Sequence, residues 1–211
     1  MIEVQAKCGT ALGPVRHQGK RPTCLAFTAS DLNAVANATG HLSVEFLCHH
    51  AARRMQTWSA NDGFTVEAIL AATNAPGQPP EGLYPYSGDN LDAPLTIPAP
   101  GLAPLYSSSA GRRGMTPEEV LHEVGNGHAV GIVVAVTRSL FRPETGIVQY
   151  DPMVLPDQYH AMVAVALGQH RTTAEPHLLL RNSWGPTWGL NGHAWISKSY
   201  LNMHLVEGMV F

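Results

Sequence analysis

Charge is what this chain has least of. Only 14% of its 211 residues are Asp, Glu, Lys or Arg, against roughly 25% in an average soluble domain. Disorder driven by self-repulsion is excluded at that level. The net charge of −3 with neutral His raises no broad field toward nucleic acid or an anionic membrane surface. Cysteine is scarce as well. Cys8, Cys24 and Cys48 cannot close a disulfide framework, and none stands in a C-x-x-C pair of the kind that holds zinc or cycles electrons. One thiol at least is left over in any monomer. Long apolar runs are missing too: the longest, residues 129–136, falls far short of the roughly 20 that cross a bilayer. The first 20 residues hold no apolar core with a cleavage site, so no secretory signal is read in this chain. The expected location is the cytoplasm, or a target cell reached as part of a larger protein.

What is present is apolar and rich in turns. Hydrophobic residues make up 45%, with 20 Gly and 16 Pro, and the length suits one compact unit of residues 1–211 rather than a string of domains. Residues 24–37 are good helix formers, apolar on most sides, with Pro22 and Thr23 before them and Gly40 after. They predict a buried helix that starts at Cys24. A second helix is expected over 43–56, with Val44, Leu47, Cys48, Ala51 and Met55 on one face, and a third over 65–72. Pro76, Pro79, Pro80, Pro94, Pro98, Pro100 and Pro104 then punctuate an extended crossing. Thr116-Pro117-Glu118-Glu119 announces a further helix through a capping box with proline at its first position, and Gly125-Asn126-Gly127 ends it. Strands are expected over 129–136, 161–167, 177–181, 193–197 and 205–211. A helical half followed by a β half predicts an α+β protein of two lobes with a cleft between.

A cysteine at a helix start is most often a small hydrophobe. Cys24 has neighbours that argue otherwise. The helix's N–H groups and dipole favour a thiolate there, and Lys20 and Arg21 add positive charge nearby in sequence. Gln18, six residues upstream, would turn its amide N–H toward the same point and, with the backbone N–H of Cys24, form an oxyanion hole.

The segment Gln18-Gly19-Lys20-Arg21-Pro22-Thr23-Cys24-Leu25-Ala26-Phe27 resembles the active-site segment of papain-like cysteine peptidases, with the Gln-to-Cys spacing preserved. Two later segments are similar in the same order. Tyr159-His160-Ala161-Met162-Val163 resembles the family's histidine leading into a strand. Asn182-Ser183-Trp184-Gly185-Pro186-Thr187-Trp188-Gly189-Leu190-Asn191-Gly192 resembles its Asn-Ser-Trp-Gly signature. Weaker echoes are Leu42-Ser43, Asn61-Asp62-Gly63 and Tyr84-Pro85-Tyr86. The resemblance covers residues 13–197. It implies a papain-like fold with a helical lobe (about 12–100) and a β-barrel-like lobe (about 101–211 plus an N-terminal strand), and a hydrolase with Cys24 as nucleophile, His160 as its base and Asn182 orienting the imidazole. Gln18 would be the oxyanion donor. Trp184 would cover the His160–Asn182 bond, and Gly63, Pro22, Tyr159 and Trp184 would line the substrate site. The implied substrate is a protein or peptide.

No cofactor or metal is expected. His49-His50, His122 and His128 supply no three convergent ligands with a carboxylate, and Arg53-Arg54 and Arg112-Arg113 read as solvated faces. The chain departs from the family at three positions. Leu25 stands where tryptophan is usual, and Arg21 stands where many members carry a disulfide cysteine. Pro22 replaces a glycine beside the pocket for the residue before the cut bond, and its ring predicts a narrow pocket that favours Gly or Ala. Only 17 residues precede Gln18, too few for the family's inhibitory prosegment. Restraint is therefore expected from an inhibitor or immunity protein, as in bacterial toxin or effector domains of this type. The readings left open beside the endopeptidase are an amidase, deamidase or acyltransferase using the same thiol, and a catalytically idle binding module.

Overall fold

The structure is a computed structural model that describes residues 1–8, 12–88, 95 and 97–211; Pro94 of the proline-rich crossing lies outside the described residues. The chain divides into two compact units. One comprises Thr10–Pro14, Gln18–Ala110 and Phe211, the other Met1–Gly9, Val15–His17 and Gly111–Val210.

The first unit is helical. α1 (Cys24–Ala36) is buried at every residue from Leu25 to Ala34, as its lack of a polar face requires. Two of its buried polar side chains are bonded to other parts of the unit. Ser30 donates to the Leu42 carbonyl at 3.1 Å, and Asn33 donates to Gln78 Oε1 at 2.9 Å and to the Tyr106 carbonyl at 3.0 Å. Gln78, fully buried, also donates to Ser30 and to the Ser43 carbonyl, so one amide ties the proline-rich crossing to α1 and to the start of α2. α2 (Val44–Ala52) presents Val44, Leu47, Cys48 and Ala51 inward. It stops short of the expected residue 56, because the Arg54 guanidinium donates to the His50 carbonyl at 2.7 Å and to the Ala75 carbonyl and closes the last turn. α3 (Val66–Asn74) buries Ala68, Ile69 and Ala72.

The second unit is a six-stranded antiparallel sheet with helices on it. Its strands are β1 (Ile2–Lys7), β2 (Val130–Thr137), β3 (Val154–His170), β4 (Pro176–Arg181), β5 (His193–Ser197) and β6 (Leu205–Met209). They run in the order β5-β4-β3-β2-β6, with β1 paired to the far end of β3. Alternate residues of β2 (Val130, Ile132, Val134, Val136) point into a core shared with Met162, Leu178, Leu180 and Ile196, each contributing about 1.5–3 kcal/mol by leaving water. α4 (Pro117–Gly125) adds Val120 and Val124, and α6 (Lys198–His204) adds Tyr200 and Leu201.

β3 differs from its expected start at residue 161. It begins seven residues earlier, so His160 lies within the strand rather than ahead of it. Opposite β2 the register jumps between Ala135↔Tyr159 and Thr137↔Val154. That bulge absorbs Pro156 and Asp157, the latter at φ +55°. The single-turn α5 (Arg138–Phe141) and α6 have no counterpart among the expected elements.

Candidate active site

Cys24 is the first residue of α1 and half-buried. The loop before it is folded on one carbonyl: Arg21 O accepts from Gln18 Nε2 at 2.9 Å and from the Thr23 N–H at 2.8 Å. Gln18 is thereby held, 7% exposed, with one of its two amide hydrogens placed on Arg21. Gly63 and Pro22 come together, since a β-carbon on Gly63 would stand 3.6 Å from the Pro22 carbonyl oxygen. That is ordinary van der Waals contact.

Arg21 overturns its sequence reading. It is 1% exposed, and its Nη1 donates to Glu45 Oε2 at 2.8 Å, with Glu45 equally buried. The positive charge expected beside Cys24 is therefore matched by a carboxylate. An ion pair between the loop and α2 stands at the residue where the family's disulfide cysteine would be. Glu45 Oε2 also accepts from the Ser87 N–H. The other two thiols are held back by burial, which pushes Cys8 up to about 11 and Cys48 well above the ordinary range. Neither is a nucleophile at neutral pH.

In the sheet unit, strand alternation turns Tyr159 outward (58% exposed) and His160 inward (4%). His160 Nε2 lies 2.6 Å from Asn182 Oδ1. Oδ1 also accepts from the Ser183 N–H at 2.7 Å. That backbone donor fixes the atom facing it as the amide oxygen, so His160 Nε2 must carry the hydrogen, and Nδ1 keeps the lone pair. Burial pushes the imidazole down to about 4, against the smaller upward effect of the Asn182 bond. At neutral pH the ring is an uncharged base with a defined tautomer. Asn182 Nδ2 is buried with no hydrogen-bond partner among the described residues.

Asn182 follows β4 directly, and its N–H donates to the Gly192 carbonyl. The turn between them depends on Gly189, at φ +56° with the His193 carbonyl oxygen 2.3 Å from where a β-carbon would be. Trp184 in this turn packs on His160, ring centroids 4.2 Å apart. Phe141 of α5 stacks parallel to Trp184 at 5.4 Å, and Trp188 meets it edge-on at 6.0 Å. The Trp188 indole N–H donates to the Leu140 carbonyl at 2.9 Å, which pins α5 and with it Phe141. Sequence reasoning missed Phe141; the only signal was an aromatic after the Thr137-Arg138-Ser139 turn. It also missed Glu45 and the hydroxyl role of Tyr86 described below.

Among the described residues, no group of three or more His, Cys, Asp or Glu is placed to hold a metal ion. His128 faces Glu123 at 2.7 Å and His122 faces Asn126 at 3.0 Å. Arg112 pairs with Glu119 and Glu123, and Arg113 with Glu207. No helix among these residues is long and apolar enough to cross a membrane.

One unit holds a buried His–Asn pair under a tryptophan and the other a cysteine that opens a buried helix behind a glutamine, and the papain family cysteine protease model matches residues 2–211. The chain belongs to the papain family. It is 27% identical to bovine (Bos taurus) pro-cathepsin H over 201 residues, 91% of this chain and 58% of that one. It is likewise 27% identical to the thiol protease aleurain of Arabidopsis thaliana over 207 residues, 94% of this chain and 54% of that one. The chain thus spans a little over half the length of these relatives. Among solved structures it shares its fold with digestive procathepsin L 3 from the larval midgut of Tenebrio molitor (TM-score 0.69, 17% identity, covering 96% of this chain and 67% of that one). A structure from work on the mite allergens Blo t 1 and Der p 1 matches equally well, with TM-score 0.69 and 18% identity over 95% of this chain and 67% of that one.

Proposed function

We propose that residues 1–211 form one catalytic domain, a cysteine endopeptidase acting on a protein or peptide substrate through Cys24, His160, Asn182 and Gln18. The observation that supports this most is the 2.6 Å His160–Asn182 bond, whose tautomer leaves Nδ1 as the base. In the proposed reaction Cys24 Sγ attacks the scissile carbonyl carbon while its proton passes to His160 Nδ1. The carbonyl oxygen becomes an oxyanion and accepts from the second Gln18 amide hydrogen and the Cys24 N–H. The C–N bond breaks as the imidazolium protonates the leaving amine. Water, deprotonated by the same nitrogen, then cleaves the thioester and restores the thiol. Asn182 holds the ring throughout, and Trp184 keeps water from their bond.

Gly63 and Pro22 form a wall of the substrate site in this reading, with Tyr159 and Trp184 contributing from the sheet unit. Pro22 narrows the pocket for the residue before the cut bond. Of the relatives named above, aleurain is named a thiol protease, and none is named as a toxin or effector.

Terminal-peptide proteomics of cells expressing the wild-type chain or Cys24→Ala tests it. New protein termini that depend on Cys24 are expected and would report the cleavage motif. Deamidated or transferred acyl groups without new termini would replace the endopeptidase by a deamidase or acyltransferase. No adduct between Cys24 and a thiol-directed epoxide at neutral pH would leave a binding module.

A further inference from the structure

Four helices of this chain begin alike. In α2, α3, α4 and α6 the hydroxyl of Ser43, Thr65, Thr116 or Ser197 accepts from the N–H three residues on, those of Phe46, Ala68, Glu119 and Tyr200. α1 has an equally suitable residue in Thr23, yet the Thr23 side chain makes no capping bond. Its backbone, at φ −105° and ψ 16°, departs from the extended geometry of the other four. Apart from the single-turn α5, α1 is the exception among the described α-helices.

The Thr23 hydroxyl is turned toward Tyr86 instead. Thr23 Oγ1, on a residue 2% exposed, lies 2.7 Å from the Tyr86 hydroxyl, which lies 2.9 Å from the Gln18 carbonyl oxygen. A phenol has one hydrogen and a carbonyl can only accept. The Tyr86 hydrogen therefore goes to Gln18, and Thr23 supplies the hydrogen of the 2.7 Å bond, its other acceptor, the Arg21 carbonyl oxygen, lying farther off at 3.4 Å. Tyr86 is itself well anchored. Its N–H donates to Glu81 Oε1 at 2.7 Å, its ring meets Phe27 edge-on at 4.9 Å, and the Arg21 guanidinium lies 5.9 Å from the ring centroid. Burial raises the phenol above its ordinary range, so it remains a donor throughout the pH range in which a thiol titrates.

We propose that Tyr86 is a positioning residue for Cys24: by holding the Thr23 side chain toward itself and tying the Gln18 carbonyl, it keeps the Thr23 oxygen turned away from the Ala26 N–H that a capping bond would need. The inference rests on the cysteine-peptidase reading and adds to it a residue that touches neither substrate nor sulfur. A capped α1 would set the Thr23 oxygen on the Ala26 N–H, as the other four helices do. The oxygen's partial negative charge would then sit in the first turn, where the helix dipole favours an anion, and would compete with the thiolate. With the hydroxyl held by Tyr86, the field of that turn acts on the sulfur, and the same phenol fixes the backbone from which the Gln18 amide projects.

The test is the pH dependence of Cys24 carboxamidomethylation by iodoacetamide, with the modified residue assigned by peptide mass. Wild type, Tyr86→Phe, Thr23→Val and the double variant are compared. Tyr86→Phe keeps the ring and frees the Thr23 hydroxyl. Its reactivity midpoint should rise by about half to one pH unit, the scale of a helix-terminus interaction. Thr23→Val, which has no hydroxyl to cap with, should titrate like wild type, and the double variant should return to the wild-type midpoint. An unmoved midpoint in Tyr86→Phe, or a double variant that stays shifted, would overturn the proposal. So would loss of the native far-UV CD spectrum in Tyr86→Phe, which would make the hydroxyl a folding element instead. Peptide turnover is not part of this readout. A wild-type chain that hydrolyses nothing would sink the protease reading and leave the titration to decide this one.

Discussion

The loop that carries Gln18 and Cys24 is braced by polar groups withdrawn from water, whereas the strand that carries His160 is held by backbone register and aromatic rings. In the first region Arg21 needs Glu45, Thr23 needs Tyr86, and Tyr86 needs the Gln18 carbonyl. Removing Glu45 strands the Arg21 charge in a buried setting, a cost larger than the bond itself contributes. In the second region Trp184, Phe141 and Trp188 share a contact area, and trimming one ring leaves the others packed. The polar brace thus fails abruptly and the aromatic one by degrees.

The largest effect should come from the two groups proposed for the chemistry. Cys24→Ala or His160→Ala is expected to lower kcat/KM on a cleaved peptide by about 10⁴-fold or more, with the double variant little worse than either, as for residues that act as a unit. Fully additive losses would contradict that. Next is the polar brace. Glu45→Gln leaves the Arg21 charge buried and should cost about 3–5 kcal/mol, lowering Tm by roughly 6–20 °C for a chain of this size. The paired change Arg21→Met with Glu45→Leu should recover most of it. Scanning fluorimetry showing no loss for Glu45→Gln would break the comparison on this side.

Asn182→Ala frees the imidazole to rotate and to change tautomer. It should lower kcat by roughly 10²-fold with KM little changed, as stopped-time peptide assays would read. The aromatic side is tested by titration. In Cys24→Ala, where no thiolate interferes, NMR should find His160 neutral down to about pH 4. Its folded value lies below the ordinary 6.5, so the folded state binds fewer protons than the unfolded one. The associated stability is present above pH 6.5 and is lost as pH falls toward 4. Trp184→Ala admits water to the ring and should bring the value part of the way back to 6.5; an unchanged titration would show that Trp184 does not keep the ring dry. The smallest effect is expected at Pro22. Pro22→Gly should raise cleavage after bulky residues relative to glycine by about tenfold, and a library digest that cuts both equally well in the wild type would remove the narrow pocket altogether.

Much of this was legible before the structure because the informative groups are local in sequence. Pro22 and Thr23 announce α1, Thr116 to Glu119 announce α4, and the Cys24, His160 and Asn182 motifs each occupy a few consecutive residues. What escaped depends on distance or on short elements. Glu45 lies 24 residues from Arg21, and Tyr86 lies 63 from Thr23; neither separation leaves a mark on spacing. α5 and α6 are one and two turns long, too short for a 3.6-residue period to repeat. The early part of β3 contains Pro156 and a left-handed Asp157, turn signals that a bulge converts into strand.

β1 ends its search for a partner only at β3: Gln5 and Gln169, which bond across that pair, are 164 residues apart. The helical unit lies almost wholly within one uninterrupted segment, Gln18–Ala110. On a ribosome adding about 5–20 residues per second, that segment is complete while β1 still waits roughly three to twelve seconds for the end of β3 at His170. The loop that presents Cys24 can therefore be set before His160 has been made, so on the nascent chain the proposed nucleophile precedes its proposed base.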